Sequence, residues 1–247
     1  MKYLFAVLLI AIKLSARSQS LQFYYDVRHT LDPSNNPKNF PSIYFEYYQT
    51  PDTGNLFIKR GPFLFKAQAD LSGDQTNLGK YYTQISQEVR FWQRPSDLYL
   101  NLQYSGGLGV TTPKQYSYFI SNTYLAGASY HYKIGQAFLT SVLNFRYVSY
   151  VLPSKDLLYT MYFYRGLFNY RAEVSGDFSL WTENNNHGDE ATIELTGKRF
   201  YFFAEPQIWL NVSKHLSIGS KINVYYHVNV AANSVQIYPT AALRVKL

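Results

Sequence analysis

The sequence predicts an all-β fold, a single antiparallel transmembrane β-barrel of about twelve strands that occupies residues 19–247. Three observations predict it. Hydrophobicity alternates with period two along nearly the whole chain. No stretch beyond the N-terminus approaches the 18 consecutive apolar residues of a membrane helix. The 247 residues are 18% Phe, Trp and Tyr, with 25 Tyr, yet only 16% are charged. One large domain suits this length, because barrels of this size are commonly a single unit. The absence of Cys excludes disulfide scaffolds, thiolate metal sites and cysteine nucleophiles.

Residues 1–18 predict a signal peptide. Lys2 precedes an unbroken apolar run from Tyr3 to Ile12, and Lys13 is followed by the small-residue stretch Leu14-Ser15-Ala16-Arg17-Ser18, with Ala16 and Ser18 at the −3 and −1 cleavage positions. The run is half of what a bilayer-spanning helix needs. Cleavage removes Lys2, Lys13 and Arg17 and lowers the formal charge from +7 to +4, which takes away the argument for a nucleic-acid partner.

Alternating segments follow near 21–30, 41–50, 62–72, 79–92, 97–106, 118–132, 136–148, 156–165, 170–182, 191–211, 215–228 and 234–247. In the first, Phe23, Tyr25 and Val27 share one face while Tyr24, Asp26 and Arg28 share the other. In the third, Phe63, Phe65, Ala67, Ala69 and Leu71 oppose Leu64, Lys66, Gln68 and Asp70. In the fifth, Leu98, Leu100 and Leu102 oppose Tyr99, Asn101 and Gln103, and in the seventh, Leu143 and Phe145 oppose Asn144 and Arg146. Most segments have the ten or so residues that a tilted strand needs to cross a bilayer. Connections alternate between short (133–135, 166–169, 213–214) and long and polar (30–40, 106–117, 182–190), which sets short periplasmic turns against outer loops. The connection from Thr50 to Gly61 breaks this pattern by its length.

A soluble β-sandwich or lipocalin-like barrel also alternates, but it turns charged residues outward, and few are present here. Tyrosines near segment ends (Tyr24, Tyr25, Tyr47, Tyr48, Tyr81, Tyr82, Tyr130, Tyr132, Tyr225, Tyr226) read as aromatic girdles at membrane interfaces. The chain also stops within its last alternating segment, as a barrel closed by its final strand would.

Particular residues add a family resemblance. The run Leu31-Asp32-Pro33 through Asn36-Pro37-Lys38-Asn39-Phe40-Pro41, then Phe45-Glu46-Tyr47, resembles the first hairpin of a family of uncharacterised outer-membrane barrels grouped with the Tsx-like nucleoside-specific channels. Ala69-Asp70-Leu71, Tyr82 to Gln87 with Phe91-Trp92, Gln103-Tyr104-Ser105-Gly106-Gly107-Leu108-Gly109, Ser121-Asn122, Ser175-Gly176 with Trp181, and Glu205-Pro206-Gln207-Ile208-Trp209 match in the same order. The resemblance implies a twelve-stranded barrel in a Gram-negative outer membrane, embedded in outer-membrane lipid, inserted by the barrel-assembly machinery and passing small polar solutes such as nucleosides by passive diffusion. Two departures stand out: Asn55 to Arg60 looks like an insertion, and the chain ends in Leu247 where an aromatic residue is common.

Projecting the alternation inward gives the expected lumen and solute-binding set: Arg28, Glu46, Lys66, Asp70, Gln84, Glu88, Arg90, Asn101, Gln103, Asn144, Arg146, Asp177, Glu205, Gln207 and Lys221. Such charges either pair across the interior as a structural network or form a constriction that hydrogen-bonds a polar solute. Pro206 is expected at a bulge that aims Glu205 and Gln207 inward. Ser105 to Gly109 reads as a flexible rim, since it lacks the Lys and the strand-to-helix context of a phosphate cradle. No catalytic residue, metal site or cofactor is expected. The best His–carboxylate pair, His29 with Asp32, lacks a nucleophile, and His131 and His215 fall at turns. A non-conducting structural or adhesin barrel is the alternative, and an outer-membrane enzyme a more distant one.

Overall fold

The computed structural model describes residues 17–51, 58–111, 116–228 and 233–247. The signal-peptide reading therefore lies outside the described residues except for Arg17 and Ser18, which open the first strand opposite Gln49 and Tyr48.

The described residues form one sheet of antiparallel strands: β1 (Arg17–Asp26), β2 (Phe40–Gln49), β3 (Lys59–Asp70), β4 (Lys80–Arg90), β5 (Leu98–Val110), β6 (Ser117–Ile134), β7 (Ala137–Val148), β8 (Ser154–Leu167), β9 (Ala172–Asn184), β10 (Lys198–Ala204), β11 (Gln207–Asn211), β12 (Leu216–Tyr226) and β13 (Val235–Lys246). Apart from β10 and β11, each pairs with its neighbour in sequence, and β13 pairs with both β12 and β1, so the sheet closes on itself. β10 and β11 lie end to end between β9 and β12 and form one stave, which makes the barrel twelve-stranded. One short helix, α1 (Arg28–Leu31), follows β1. It cuts short the first expected segment, because Asp26 accepts the Arg28 N–H at 2.9 Å and turns the chain out of the sheet.

The break between β10 and β11 corrects the expected bulge. Ala204 pairs with Phe178 and Gln207 with Ser175, so three steps on one strand match three on the other and no residue is inserted. Pro206 removes one ladder donor and the register carries straight through. The facing strand accommodates it at Gly176, whose φ of 148° only glycine adopts readily and where a Cβ would sit 2.5 Å from the Glu205 carbonyl oxygen.

Gly106, Gly107 and Gly109 are likewise not a rim but part of β5. The register shifts beside them, with Ser105 opposite Thr123 and Gly107 opposite Ile120, which places the extra residue in β6. A side chain at Gly107 would strike the Tyr81 carbonyl and one at Gly109 the Tyr118 ring. These glycines serve close packing.

The connections at the end where β1 starts span 91–97, 135–136, 168–171 and 212–215, whereas those at the other end span 27–39, 71–79, 111–116, 149–153, 185–197 and 227–234. The 50–58 connection belongs to the first end. Residues 52–57 of it, which include half of the suspected insertion, lie outside the described residues, and Lys59 and Arg60 open β3 opposite Arg90 and Val89. The tenth segment begins at Lys198 rather than 191, because Thr192 and Ile193 donate to the Asp189 carbonyl in a local turn.

Period two makes the barrel inside-out relative to a soluble protein. Leu143 and Phe145 are half exposed on the outside (52% and 50%), while Asn144 between them is 1% exposed inside. Phe23, Ile43, Ile85, Leu102, Leu157, Leu210, Ile218 and Ile237 continue the apolar outer belt. Val27 leaves it, since it caps α1 beyond the end of β1. Adjacent tyrosines split between faces for the same reason. Tyr25 and Tyr81 point outward, but Tyr24, Tyr82 and Tyr225 line the interior, so only one of each adjacent pair is a girdle residue, whereas Tyr130 and Tyr132, two apart, stack on one outer face.

Substituting Leu143→Arg at mid-belt is expected to destabilise the barrel by about 2–4 kcal/mol in lipid vesicles, and Leu102→Arg similarly. Denaturant titration of the folded barrel in vesicles checks this, and normal stability of both variants would place these strands one residue out of register.

Candidate functional site

Closure leaves the polar face of every strand inside, so each charge there must find a partner or remain costly. Most find one. Lys66 on β3 reaches Asp177 on β9, six staves away and therefore diametrically opposite, at 3.5 Å. Lys221 on β12 donates to Glu205 at 2.7 Å and lies 4.6 Å from the centre of the Tyr24 ring. Arg244 donates to Glu173 at 2.6 Å and stacks 4.5 Å above the Trp209 ring, and Lys246 reaches the same carboxylate at 2.7 Å. Trp209 is completely buried against Tyr24, which packs in turn on Tyr44. Together these side chains run down the barrel as a continuous column.

The half nearer the chain ends is filled by further pairs. Glu88 holds the His131 ring at 2.5 Å, with Thr140 on the opposite ring nitrogen at 2.8 Å. His131 thus sits inside β6, not in the expected turn. Arg90 donates to the Ser96 carbonyl and lies 5.0 Å over the Tyr99 ring. Gln207 accepts from Trp209 Nε1 at 3.0 Å, and Glu46 accepts from the Tyr44 hydroxyl at 3.0 Å. Asn101 and Asn144 are buried in the wall.

Above the Lys66–Asp177 crossbar the interior opens into a cup of about 600 Å3 at the long-loop end. Of the expected lumen residues, Arg28, Lys66, Asp70, Gln84, Gln103, Arg146, Asp177, Glu205 and Lys221 line it. Glu46, Glu88, Arg90, Asn101, Asn144 and Gln207 do not; they belong to the filled half or the wall beneath. Arg28 arrives from α1 rather than from a strand. It forks onto Asp26, with Nη2 at 2.7 Å, and its guanidinium faces the Phe40 and Tyr238 rings, each at 4.9 Å.

The wall contains residues that the sequence reading passed over: Lys80, Tyr82, Tyr162, Trp181, Phe203 and Tyr225. Lys80 and Tyr82 share the parity of Gln84 on β4, and that parity was the available signal. The tyrosines were hidden by the girdle reading. At the rim, Trp181 stacks on Tyr201 at 5.3 Å with an angle of 7°, and Arg146, bridged to Glu183 at 2.7 Å, lies over Trp181. Tyr150 and His187, from two neighbouring loops, stack at 3.9 Å beside that carboxylate. Burial and the Glu183 charge push the Tyr150 phenol well above its ordinary pKa.

The first long loop folds back on the mouth. Asp32 accepts from Asn35 and Ser34 and from the Tyr238 hydroxyl, and the Asn35 bond above all holds its carboxyl below the usual range. His29 bonds the Asn36 carbonyl at 2.6 Å instead of pairing with Asp32. Among the described residues no group of His, Asp and Glu is arranged to hold a metal ion.

Asp177→Asn leaves Lys66 unpaired in the interior and is expected to cost about 3–5 kcal/mol, whereas Lys66→Met with Asp177→Leu recovers most of that loss. Denaturant titrations of the single and double variants measure it, and additive losses would show that the crossbar is not a coupled pair.

No curated protein matches the sequence. Among solved structures the barrel is similar to LpxR from Salmonella typhimurium, at 8% identity and a TM-score of 0.44 over 93% of this chain and 100% of that one. It is also similar to the translocator domain of the autotransporter NalP from Neisseria meningitidis (9%, 0.41, 100% and 94%) and to a porin (8%, 0.41, 94% and 99%). The family model described as a domain of unknown function, DUF5020, matches residues 18–247, and the chain belongs to that family.

Proposed function

We propose that this barrel resides in the outer membrane of a Gram-negative bacterium, in contact with outer-membrane lipid after delivery through a cleaved signal peptide and insertion by the barrel-assembly machinery. There it takes small polar solutes, nucleosides among them, into the cup from the long-loop side. The apolar outer belt around a polar interior supports the membrane placement. The single observation that carries the solute reading is the cup itself: about 600 Å3, with amides, charges and aromatic rings in one wall. Amides and charges supply hydrogen bonds to a polar solute, and Tyr and Trp faces supply stacking for its planar part.

Passage by diffusion requires the solute to cross the Lys66–Asp177 crossbar and the column of Tyr24, Tyr44 and Trp209 beneath it. That column is the constriction in this reading, and it makes conduction slow. A specific observation favours a second reading, a non-conducting structural or adhesin barrel: Trp209 has no exposed surface and the charges around it are paired. Neither reading calls for a catalytic step, a cofactor or a nucleic-acid partner.

Liposome swelling and planar-bilayer conductance on the refolded barrel test the proposal. The wild type is expected to pass small solutes slowly, and Lys66→Ala with Asp177→Ala to raise conductance several-fold by removing the crossbar while the β circular dichroism persists. A barrel that neither conducts nor binds nucleosides, in either form, would leave the structural reading.

A further inference from the structure

The wall of the cup is not electrically balanced. Four of its cations have a carboxylate partner: Arg28 has Asp26, Lys66 has Asp177, Lys221 has Glu205, and Arg146 has Glu183 just beyond the wall. Two lysines and one carboxylate remain. Lys38 is engaged at the rim by the Gly73 carbonyl. Asp70 already accepts hydrogen bonds from Ser42 and Gln68, each at 2.7 Å. Lys80 lies opposite Asp70 in the β3–β4 register and is attracted by its charge, but makes no contact of ion-pair length among the described residues.

The same inward row of β4 holds a second donor, Gln84. Gln84 is 8% exposed and lines the cup, and its Nε2 makes no hydrogen bond of full geometry among the described residues, with the Tyr162 phenol on β8 as its neighbour. Tyr82 stands between the two, and Tyr162 presents its ring from β8. Residues four apart on a strand are roughly 13 Å apart at Cα. The row therefore offers a cationic donor near the mouth, a ring in the middle and a neutral donor deeper in.

We propose that the Lys80–Tyr82–Gln84 row recognises a small organic anion: a planar solute whose carboxylate or phosphate monoester meets Lys80, whose body lies against Tyr82, and whose far end carries an acceptor for Gln84 Nε2. This rests on the cup being a solute site and narrows the solute to anions.

The test measures binding to the refolded barrel in detergent by isothermal titration calorimetry with three probes: 4-acetylbenzoate, uridine 5′-monophosphate and neutral uridine. At least one anion is expected to bind about tenfold or more tightly than uridine, since a hydrogen bond to a charged group outweighs a neutral one. Which anion wins distinguishes carboxylate from phosphate. Lys80→Met should abolish the preference, Lys80→Arg should keep it, and Gln84→Leu should weaken the preferred anion several-fold, with folding of each variant verified by heat-modifiable migration. Equal binding of uridine and both anions, or a preference unchanged in Lys80→Met, would overturn the anion assignment while leaving the cup a solute site. Binding of none of the probes would remove both.

Discussion

The rest of this structure depends on closure of the sheet. In the membrane setting proposed here, each backbone N–H and C=O facing hydrocarbon must be paired within the protein, and a sheet satisfies that only when its last strand returns to its first. β13 does so by pairing with β1 from Ser20–Lys246 to Asp26–Thr240 while also holding β12. Once the ring is closed, period two leaves no freedom. Every second side chain is sent outward to an apolar surrounding and the rest are confined to a narrow interior. The paired charges follow from that confinement. Lys66 and Asp177 meet across the full width of the barrel because twelve staves leave an interior that one extended lysine can cross to reach a short carboxylate.

How much of this was legible in the sequence follows from which features are local. Alternation is local, so the strands and their facings could be read directly. Leu143, Asn144, Phe145 and Arg146 take the sides that their spacing implies, and all twelve staves lie where the segments fall. The polar interior was readable too, but its partition was not. Glu88 and Gln84 have the same parity on the same strand, yet one meets His131 in the filled half and the other lines the cup, and only their depth separates them. Depth depends on strand tilt and on which stave lies opposite, and a single sequence does not encode either one locally. His131 shows the cost: the expected segment stopped at 132 where β6 runs on to Ile134, and those two residues turned an interior ligand of Glu88 into an apparent turn residue.

The tyrosines failed for a related reason. Their abundance near segment ends suggested interfaces, but in pairs such as Tyr24-Tyr25 and Tyr81-Tyr82 the backbone must turn one ring to each side. The inward rings became the aromatic part of the cup and of the column under it. Glycines were misread in the same direction. A cluster such as Gly106-Gly107-Leu108-Gly109 suggests looseness, whereas here the missing side chains let β5 lie against the Tyr81 carbonyl and the Tyr118 ring. Composition showed that something unusual happens at these positions, and the neighbours across the ladder decided what it was.

The two halves of the interior differ in a way that points to function. Near the chain ends the large side chains engage one another: Trp209 lies between Arg244 and Tyr24, Glu173 is shared by Arg244 and Lys246, and Glu88 is held by His131. Toward the long loops the pairs are fewer than the donors. Gln84 Nε2 is left without a hydrogen bond of full geometry, and Lys80 faces a carboxylate that two other groups already occupy. Arg90 Nε and Arg244 Nε are left unbonded in the filled half as well, so what sets Lys80 and Gln84 apart is that both lie on one face of one strand and line the cup. A donor held without a full partner is destabilising on its own, and on this row, unlike in the filled half, a solute entering the cup can supply the acceptor.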